Sequence, residues 1–205
     1  MVNTSPGPDA AQILRPVPLE TLVSKKTLTF WIVLLVTLVI DQATKFWVYL
    51  NLELYKDEVV VIPGLFSVVH AQNPGAAFSV LSNFEYRQYV FLVVIAVAIY
   101  IVAQLQRELS DGDALRASAL GLIMGGAIGN GIDRIHKQTV TDFARFYLDD
   151  DTIAPMLREW FGTADWPSFN VADATLLIGV IILLIWGSES TDSAETPEAA
   201  PPASA

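Results

Sequence analysis

Carboxylates, amides and a guanidinium stand beside long apolar runs in this chain, and they are the groups that could do chemistry. Asn130 and Arg134 lie four residues apart at the end of one run, so they share a face of a helix. Asp142 follows eight residues after Arg134, inside Val-Thr-Asp-Phe. Asn170 and Asp173 open the last apolar run, three residues apart, and are expected on one helix face. Ionisable groups at membrane depth cost roughly 3 kcal/mol or more unless paired or wetted, which makes these residues functional candidates.

Asp142 and Asp173 form the pair with the clearest chemistry. Two carboxylates that converge cannot both ionise cheaply, so one pKa rises, the other falls, and the pair supplies an acid and a base near neutral pH. Such a pair can activate water and protonate a leaving amine in peptide hydrolysis. The alternative is that polar groups here only fasten helix ends together. That alternative is strongest for Asp41 with Lys45, an i,i+4 pair, and for Arg134 beside a carboxylate.

Two other chemistries have less support in the sequence. A serine mechanism needs a base, and none of the serines outside the apolar runs has a Ser-x-x-x-Lys partner. His70 lies three residues from Ser67, an offset that places the two side chains on opposite faces of a strand. A metal site is not expected, because the chain has two distant histidines and no cysteine.

Four apolar runs must position these groups, and they predict a polytopic membrane protein. The chain has 205 residues, of which 53% are hydrophobic, and its mean hydropathy is +0.45. We expect membrane-spanning helices at 28–50, 86–105, 114–132 and 170–187. Gly121, Gly125 and Gly129 recur every four residues in the third run and predict a face against which another helix packs closely.

The connections outside the membrane predict two further elements. In the first, short β-rich runs flank Pro63-Gly64 and predict a hairpin, and an Asn-Pro-Gly turn follows at 73–75. In the second, 156–161 predicts a short amphipathic helix in the headgroups, beside several Trp and Phe residues. The predicted fold class is an all-α membrane protein with four transmembrane helices, a small extracytoplasmic β-hairpin or cradle, and a short interfacial helix.

Polar tails bound this predicted membrane domain. We expect a disordered cytoplasmic leader at 1–27, a four-helix transmembrane domain at 28–187 and a disordered acidic tail at 188–205. The net charge of −10 comes largely from the tail and outer loops, and no basic patch suits nucleic acid. Lysines before the first run favour cytoplasmic termini, because the first helix usually sets the orientation. The candidate groups then lie near the outer leaflet.

Five short motifs occur in order along 28–187. They are Asp41-Gln42-x-x-Lys45, Asn73-Pro74-Gly75-Ala76-Ala77-Phe78, Gly125-Gly126-Ala127-x-Gly129-Asn130-x-x-Asp133-Arg134, Val140-Thr141-Asp142-Phe143 and Phe169-Asn170-Val171-Ala172-Asp173. Each motif alone is weak, but together, in this order and beside these apolar runs, they form a specific pattern. The pattern resembles the lipoprotein signal peptidase (signal peptidase II) family.

The resemblance implies an aspartic endopeptidase of the bacterial inner membrane. Such an enzyme hydrolyses prolipoproteins just before their diacylglyceryl-modified cysteine, and Asp142 and Asp173 would be its catalytic dyad. The supporting or substrate-binding residues would be Asp41, Lys45, Asn73, Gly75, Asn130, Arg134 and Asn170. The resemblance implies a β-cradle and a helix over the site, no metal or organic cofactor, and no particular oligomer. Its partners would be lipidated prolipoproteins and membrane lipid, without nucleic acid.

Two non-enzymatic alternatives stay open at this point. Buried Asp, Arg and Asn also mark ion pathways, so a transporter or proton relay is one alternative. A relay should spread its carboxylates through the bilayer depth, whereas these carboxylates gather near one side. The other alternative is a membrane scaffold built on the glycine face, which would tolerate Asp→Asn changes at both Asp142 and Asp173.

Overall fold

The computed structural model describes residues 24–75 and 86–186, and within them it contains five helices and three strands. The helices are α1 (Lys25–Asn51), α2 (Arg87–Glu108), α3 (Ala114–Lys137), α4 (Ile153–Phe161) and α5 (Val171–Trp186). The strands are β1 (Glu58–Ile62), β2 (Phe66–Asn73) and β3 (Val140–Phe146). The predicted tail, nearly all of the predicted leader and residues 76–78 of the second motif lie outside the described residues.

Helix α3 is the centre of the helical part, and α1, α2 and α5 pack around it. Its predicted glycine face contacts α1. A Cβ on Gly121 would lie 2.8 Å from the Phe30 carbonyl oxygen, and one on Gly125 would lie 2.8 Å from Thr37 Cβ. Gly129 continues the same contact one turn later. The predicted close-packing face is therefore confirmed, and α1 is its partner.

A second close contact, which the sequence analysis did not predict, joins α3 to α5. A Cβ on Gly126 would lie 2.5 Å from the Ala172 carbonyl oxygen, and one on Gly179 would lie 2.7 Å from the Ala119 carbonyl oxygen. Backbones approach this closely only where side chains are absent. Helix α3 thus presents small residues to two neighbours and fixes both at short range.

The apolar helices differ in how well they suit a bilayer. Among the described helices, α1 and α2 are long and apolar enough to cross one. Helix α5 is apolar but has 16 residues, and α3 has 24 residues but is rich in Gly and Ala. Large apolar side chains on the outer faces of α1 and α2, such as Val39 at 64% and Val93 at 61% exposure, suit contact with lipid. Two of the four expected spans are therefore clear, and the four-span arrangement stays a prediction.

A small antiparallel sheet in the order β1-β2-β3 accompanies the helices. Strands β1 and β2 form the predicted hairpin, with Val59 opposite Val68. Gly64 turns the chain with a φ of +76°, which favours glycine. Strand β3 was not predicted, and it pairs with β2 so that Asp142 lies opposite Ala71. A three-stranded sheet therefore holds Asp142 a few residues after the end of α3.

The predicted short helix after β3 is confirmed as α4, with an earlier start than 156–161. The Asp150 side chain stabilises the start of α4. Its Oδ1 accepts hydrogen bonds from the backbone N–H groups of Thr152 and Ile153 at 2.9 and 2.8 Å. Such acceptors satisfy N–H groups that have no partner within the helix.

Helix α1 also begins earlier than expected. Ser24 caps it by accepting a hydrogen bond from the Thr27 N–H at 3.4 Å, so the helix includes residues 25–27. The three last residues of the predicted disordered leader are therefore helical.

Candidate active site

Asp142 lies within β3 and is only 3% exposed. Its Oδ1 accepts a hydrogen bond from Asn170 Nδ2 at 2.7 Å. The Asn73 side chain, at the end of β2, also hydrogen-bonds to it. The sheet therefore holds this predicted site residue in a buried position with two predicted amide partners.

Asp173 lies in the first turn of α5 and is joined to Asn170 by reciprocal hydrogen bonds. The Asp173 N–H donates to Asn170 Oδ1 at 3.1 Å, and the Asn170 N–H donates to Asp173 Oδ2 at 3.2 Å. This is the geometry of a capping box, in which a residue before the helix and one in its first turn satisfy each other's backbone groups. Asn170 therefore precedes the helix instead of sharing its face as predicted, and its amide reaches both Asp173 and Asp142.

Asn130 brings α3 to the same carboxylate. Its Nδ2 donates to Asp173 Oδ1 at 2.7 Å, and its Oδ1 accepts from Lys45 Nζ at 3.0 Å. Lys45 is only 2% exposed, so its ammonium is held inside the protein rather than in water. The amide orientation of Asn130 is fixed by this pairing, because an ammonium can only donate.

Asp41 is fully buried and connects α1 to the start of α5. One carboxylate oxygen accepts a hydrogen bond from the Ala172 N–H at 2.9 Å, and the other lies 2.9 Å from Lys45 Nζ. A carboxylate at the N-terminal end of a helix also interacts favourably with the helix dipole. Gly129 faces Asp41 and leaves no room for a Cβ, so the glycine face and the polar site meet here.

Phe91 links Arg134 to the Asn-Pro-Gly turn. The Arg134 guanidinium carbon lies 4.2 Å from the centre of the Phe91 ring. Gly75, with a φ of +92°, lies against the same ring without space for a Cβ, and its N–H donates to Asn73 Oδ1 at 2.8 Å. The structure therefore places two predicted site residues, Gly75 and Arg134, against one aromatic side chain that was not predicted, and Asn73 is joined to Gly75 by a hydrogen bond.

The electrostatics of the site raise the pKa of Asp142. Burial is the largest cause and the neighbouring Asp173 carboxylate adds to it, while the Asn73 and Asn170 hydrogen bonds and the Lys45 ammonium oppose it. The pKa of Asp142 rises from 3.8 to about 6. A carboxyl group with a pKa near 6 can hold or release a proton close to neutral pH, which acid–base chemistry requires.

The structure does not support a serine mechanism at Ser67 and His70. Ser67 and His70 are both buried in β2, but neither Ser67 Oγ nor His70 Nε2 has a hydrogen-bond partner in the described part of the chain. His70 Nδ1 lies 2.8 Å from the Leu52 carbonyl oxygen. Within the described residues, no three His, Cys, Asp or Glu side chains cluster as a metal site would require.

Asp133 also lies near the site, although the sequence did not predict it as a site residue. It is 3% exposed and lies between Lys45 and Lys137. In the sequence, Asp133 and Lys137 are an i,i+4 pair, which is usually a solvated one on a helix surface. Lys45 lies 88 residues before Asp133, and no pattern in the sequence indicates that it would form a second ion pair with this carboxylate.

Comparison with known proteins decides the family. Residues 33–188 match the family described as Signal peptidase (SPase) II. The chain belongs to the signal peptidase II family. A lipoprotein signal peptidase of Geobacter metallireducens is 45% identical over 156 residues, which are 76% of this chain and 88% of that protein. One from Geobacter sulfurreducens is 41% identical over 135 residues, 66% of this chain and 76% of that protein.

Solved structures agree with this assignment. A bacterial membrane enzyme determined by the in meso method at 2.3 Å resolution is similar with a TM-score of 0.67 and 25% identity, over 86% of this chain and 98% of that one. As a member of signal peptidase II, the chain is an aspartic-type protease from a family of bacterial membrane enzymes. The enzyme interpretation is thereby confirmed against the transporter and the scaffold.

Proposed function

We propose that Asp142 and Asp173 are the catalytic dyad with which this chain hydrolyses prolipoproteins before their diacylglyceryl-modified cysteine. The removal of signal peptides from prolipoproteins is the activity of its family. The observation that supports the dyad is the Asn170 amide, whose nitrogen bonds to Asp142 and whose oxygen bonds to the backbone of Asp173. One side chain thus holds the two acidic residues beside each other, although 31 positions separate them.

The mechanism uses water as the nucleophile and one proton shared by the dyad. The ionised carboxylate accepts a proton from water as the water oxygen bonds to the scissile carbonyl carbon. The protonated carboxyl group then supplies the proton that the leaving amine needs when the C–N bond breaks. The raised pKa of Asp142 supports it as the residue that starts protonated, and substrate binding would raise that pKa further by expelling water.

The remaining predicted residues support the dyad in distinct ways. Asn130 holds the Asp173 carboxylate, and Lys45 holds Asn130. Asp41 anchors the first turn of α5 through Ala172. Asn73 holds the Asp142 carboxylate, and Gly75 and Arg134 lie against Phe91, where the Arg134 guanidinium N–H groups would bind peptide carbonyl oxygens of the substrate.

The membrane arrangement is part of the same proposal. Helices α1, α2, α3 and α5 cross the bacterial inner membrane with both termini in the cytoplasm, and the sheet, α4 and the dyad lie at the outer side. The support is the apolarity of α1 and α2 and the packing of α1, α2 and α5 around α3. The diacylglyceryl chains of the substrate would then lie against exposed apolar helix surface, while its peptide bond meets the dyad.

The deciding experiment is cleavage of a diacylated prolipoprotein by purified protein. We expect Asp142→Asn and Asp173→Asn each to abolish cleavage while the protein stays folded and still binds substrate, because Asn keeps the shape but cannot cycle between acid and base. The double variant should be no worse than either single one, since the pair acts as a unit. Asp41→Asn should be milder. Asp151→Asn, an exposed carboxylate in the same outer segment, is the control. Near-normal turnover in either single dyad variant would falsify the dyad.

A further inference from the structure

The Asp133 carboxylate contacts three groups at the point where α3 ends and β3 begins. Its Oδ2 accepts a hydrogen bond from the Thr141 N–H at 3.0 Å and lies 3.4 Å from Lys45 Nζ. Its Oδ1 lies 3.3 Å from Lys137 Nζ. Thr141 is fully buried and directly precedes Asp142, so this carboxylate fixes the backbone that carries one proposed catalytic residue.

The same carboxylate reaches the other proposed catalytic residue through Lys45. The Lys45 ammonium lies between two carboxylates, Asp41 at 2.9 Å and Asp133 at 3.4 Å. A third contact is with the Asn130 side-chain oxygen at 3.0 Å, and Asn130 donates in turn to Asp173. Asp133 is therefore one contact from the strand of Asp142 and three contacts from the carboxylate of Asp173.

The charges of this cluster balance, which allows it to be buried. Asp41 and Asp133 supply two negative charges, and Lys45 and Lys137 supply two positive ones. Three of the four side chains are at most 3% exposed, and only Lys137, at 33%, meets solvent. Removing one partner of a buried ion pair leaves an uncompensated charge, and such a charge moves toward water or toward another partner. Loss of Asp133 would therefore displace Lys45 first, because Lys137 already has access to solvent.

We infer that Asp133 is a positioning residue for the proposed dyad, acting on Asp142 through Thr141 and on Asp173 through Lys45 and Asn130. The inference rests on the proposed function, because it needs Asp142 and Asp173 to be the reacting pair. Acid–base catalysis tolerates little displacement of its groups, and a shift of about 1 Å can cost about 100-fold in rate. The alternative is that Asp133 only joins a helix to a strand, in which case its loss lowers stability and nothing else.

Two substitutions separate the contacts of Asp133. Asp133→Asn keeps an oxygen that can accept from the Thr141 N–H but removes the charge that holds Lys45. Asp133→Ala removes both. We expect kcat on a diacylated prolipoprotein to fall by about 10-fold in the Asn variant and by about 100-fold in the Ala variant, with KM within about twofold of wild type. If the Ala variant does not fold, the Asn variant alone carries the test.

Asp113 provides a matched control at the opposite end of α3. It also accepts a backbone N–H, that of Arg116 at 3.2 Å, and pairs with a cation, the Arg116 guanidinium at 3.3 Å. Asp113→Ala should lower the melting temperature without lowering kcat of the folded protein. Asp113→Asn matches the milder substitution in the same way.

The inference is overturned if the Asp133 variants lose only stability, as the Asp113 variants should, or if KM rises while kcat stays unchanged. A failure of the dyad is distinguishable, because Asp142→Asn and Asp173→Asn are measured in the same assay. If those two variants keep their activity, the proposed function is wrong. If they lose it while both Asp133 variants keep wild-type kcat, only the positioning role is wrong.

Discussion

Asn170 shows how one residue can serve both the fold and the proposed chemistry. Its oxygen caps α5, a role that Asn fills well because its side chain can accept from the first turn. Its nitrogen donates to Asp142. A substitution that removes the amide therefore disturbs the start of a helix and the environment of the buried carboxylate together.

The raised pKa of Asp142 leads to a prediction about stability. The carboxyl group binds its proton more tightly in the folded protein, with a pKa of about 6 against 3.8, so wild type loses stability as pH rises through that window. The loss is complete above about pH 6 and amounts to about 3 kcal/mol, at about 1.4 kcal/mol per pKa unit. Asp142→Asn carries no such cost. We expect a higher melting temperature than wild type at about pH 8 and a difference that shrinks toward about pH 4. If the two proteins differ in melting temperature by the same amount at both pH values, the cost of burying an ionised Asp142 is not the cause of the difference.

The same pKa predicts the pH dependence of turnover. Two coupled carboxylates titrate as a pair, so the rate should show a bell-shaped profile whose limbs belong to both. Part of the rise in the Asp142 pKa comes from the charge of Asp173, so it describes loss of the second proton from the pair. We expect kcat/KM to fall as pH rises above about 6. The high-pH limb of kcat should lie at a higher pH than that of kcat/KM, because bound substrate expels water and so raises the pKa of Asp142 further. A rate that rises steadily through this range would show that the pair does not share a proton.

Residue types and spacing predicted many of the individual groups but not their partners. Asp41 with Lys45 was expected as an i,i+4 pair, and the structure contains it at 2.9 Å. The second carboxylate on Lys45 could not be expected, because it depends on how α1 packs against α3. Long-range contacts of this kind leave no periodic signal in the sequence.

At the scale of elements, the glycines of α3 decide which helix lies where. Gly121 and Gly125 face α1, and Gly126 faces α5. Because these contacts involve backbone atoms, the neighbours cannot adjust by changing a rotamer. The rotation of α3 is thereby fixed, and with it the direction of Asn130.

Replacing Gly125 or Gly131 of α3 by alanine tests whether close backbone contacts fix the position of this helix. At Gly125 a Cβ would lie 2.8 Å from Thr37 Cβ and 2.9 Å from the Leu34 carbonyl oxygen, so Gly125→Ala should destabilise the protein by about 1–3 kcal/mol. At Gly131 a Cβ would meet Ile95 at 3.5 Å, an ordinary contact, and Gly131→Ala should gain up to about 1 kcal/mol from helix propensity. Gly125→Leu should lower expression as well. Thermal unfolding of both Ala variants in one detergent gives the comparison, and equal effects would exclude Gly125 as a close-packing position.

The hairpin and α4 were predictable from sequence, whereas β3 was not. Pro63-Gly64 between apolar β-branched runs is a strong turn signal. Strand β3 has Asp142 and Arg145 within seven residues, so it lacks the alternation of apolar and polar residues that marks a half-buried strand. The strand is instead stabilised by contacts from elsewhere in the chain. It pairs with β2, and the Asn73 and Asn170 side chains hydrogen-bond to Asp142.

At the scale of the whole molecule, the described residues have charged groups at both ends of an apolar bundle. The ends of α1 and α3 that meet the sheet carry the cluster of Asp41, Lys45 and Asp133. Arg116 lies near the start of α3 and donates to the Trp186 carbonyl oxygen at the end of α5. Two different polar ends with apolar helix between them suit a molecule whose ends face different sides of a membrane.

Reporter fusions test the proposed orientation of those ends. A fusion directly after Trp186 should report the cytoplasm, and one near Asp150 should report the outer side. The lysines at the start of α1 are the physical reason, since basic residues beside the first span are retained in the cytoplasm. A fusion after Glu108, between α2 and α3, is the internal control and should report the cytoplasm. The inverse pattern would place the dyad on the wrong side for exported substrates.

The hydrogen bond between Asp41 and the Ala172 N–H joins groups that are 131 residues apart, and it bears on the timing of biogenesis. A ribosome delivers the chain from its N-terminus, so Asp41, Lys45 and Asp142 are all synthesised before Asp173. Until α5 has left the ribosome and entered the bundle, Asp142 lacks Asn170, and the proposed dyad has one member. If the proposed dyad is the catalytic pair, the nascent enzyme is inactive toward other chains that are being inserted beside it, and it gains proteolytic activity only when its own insertion is complete.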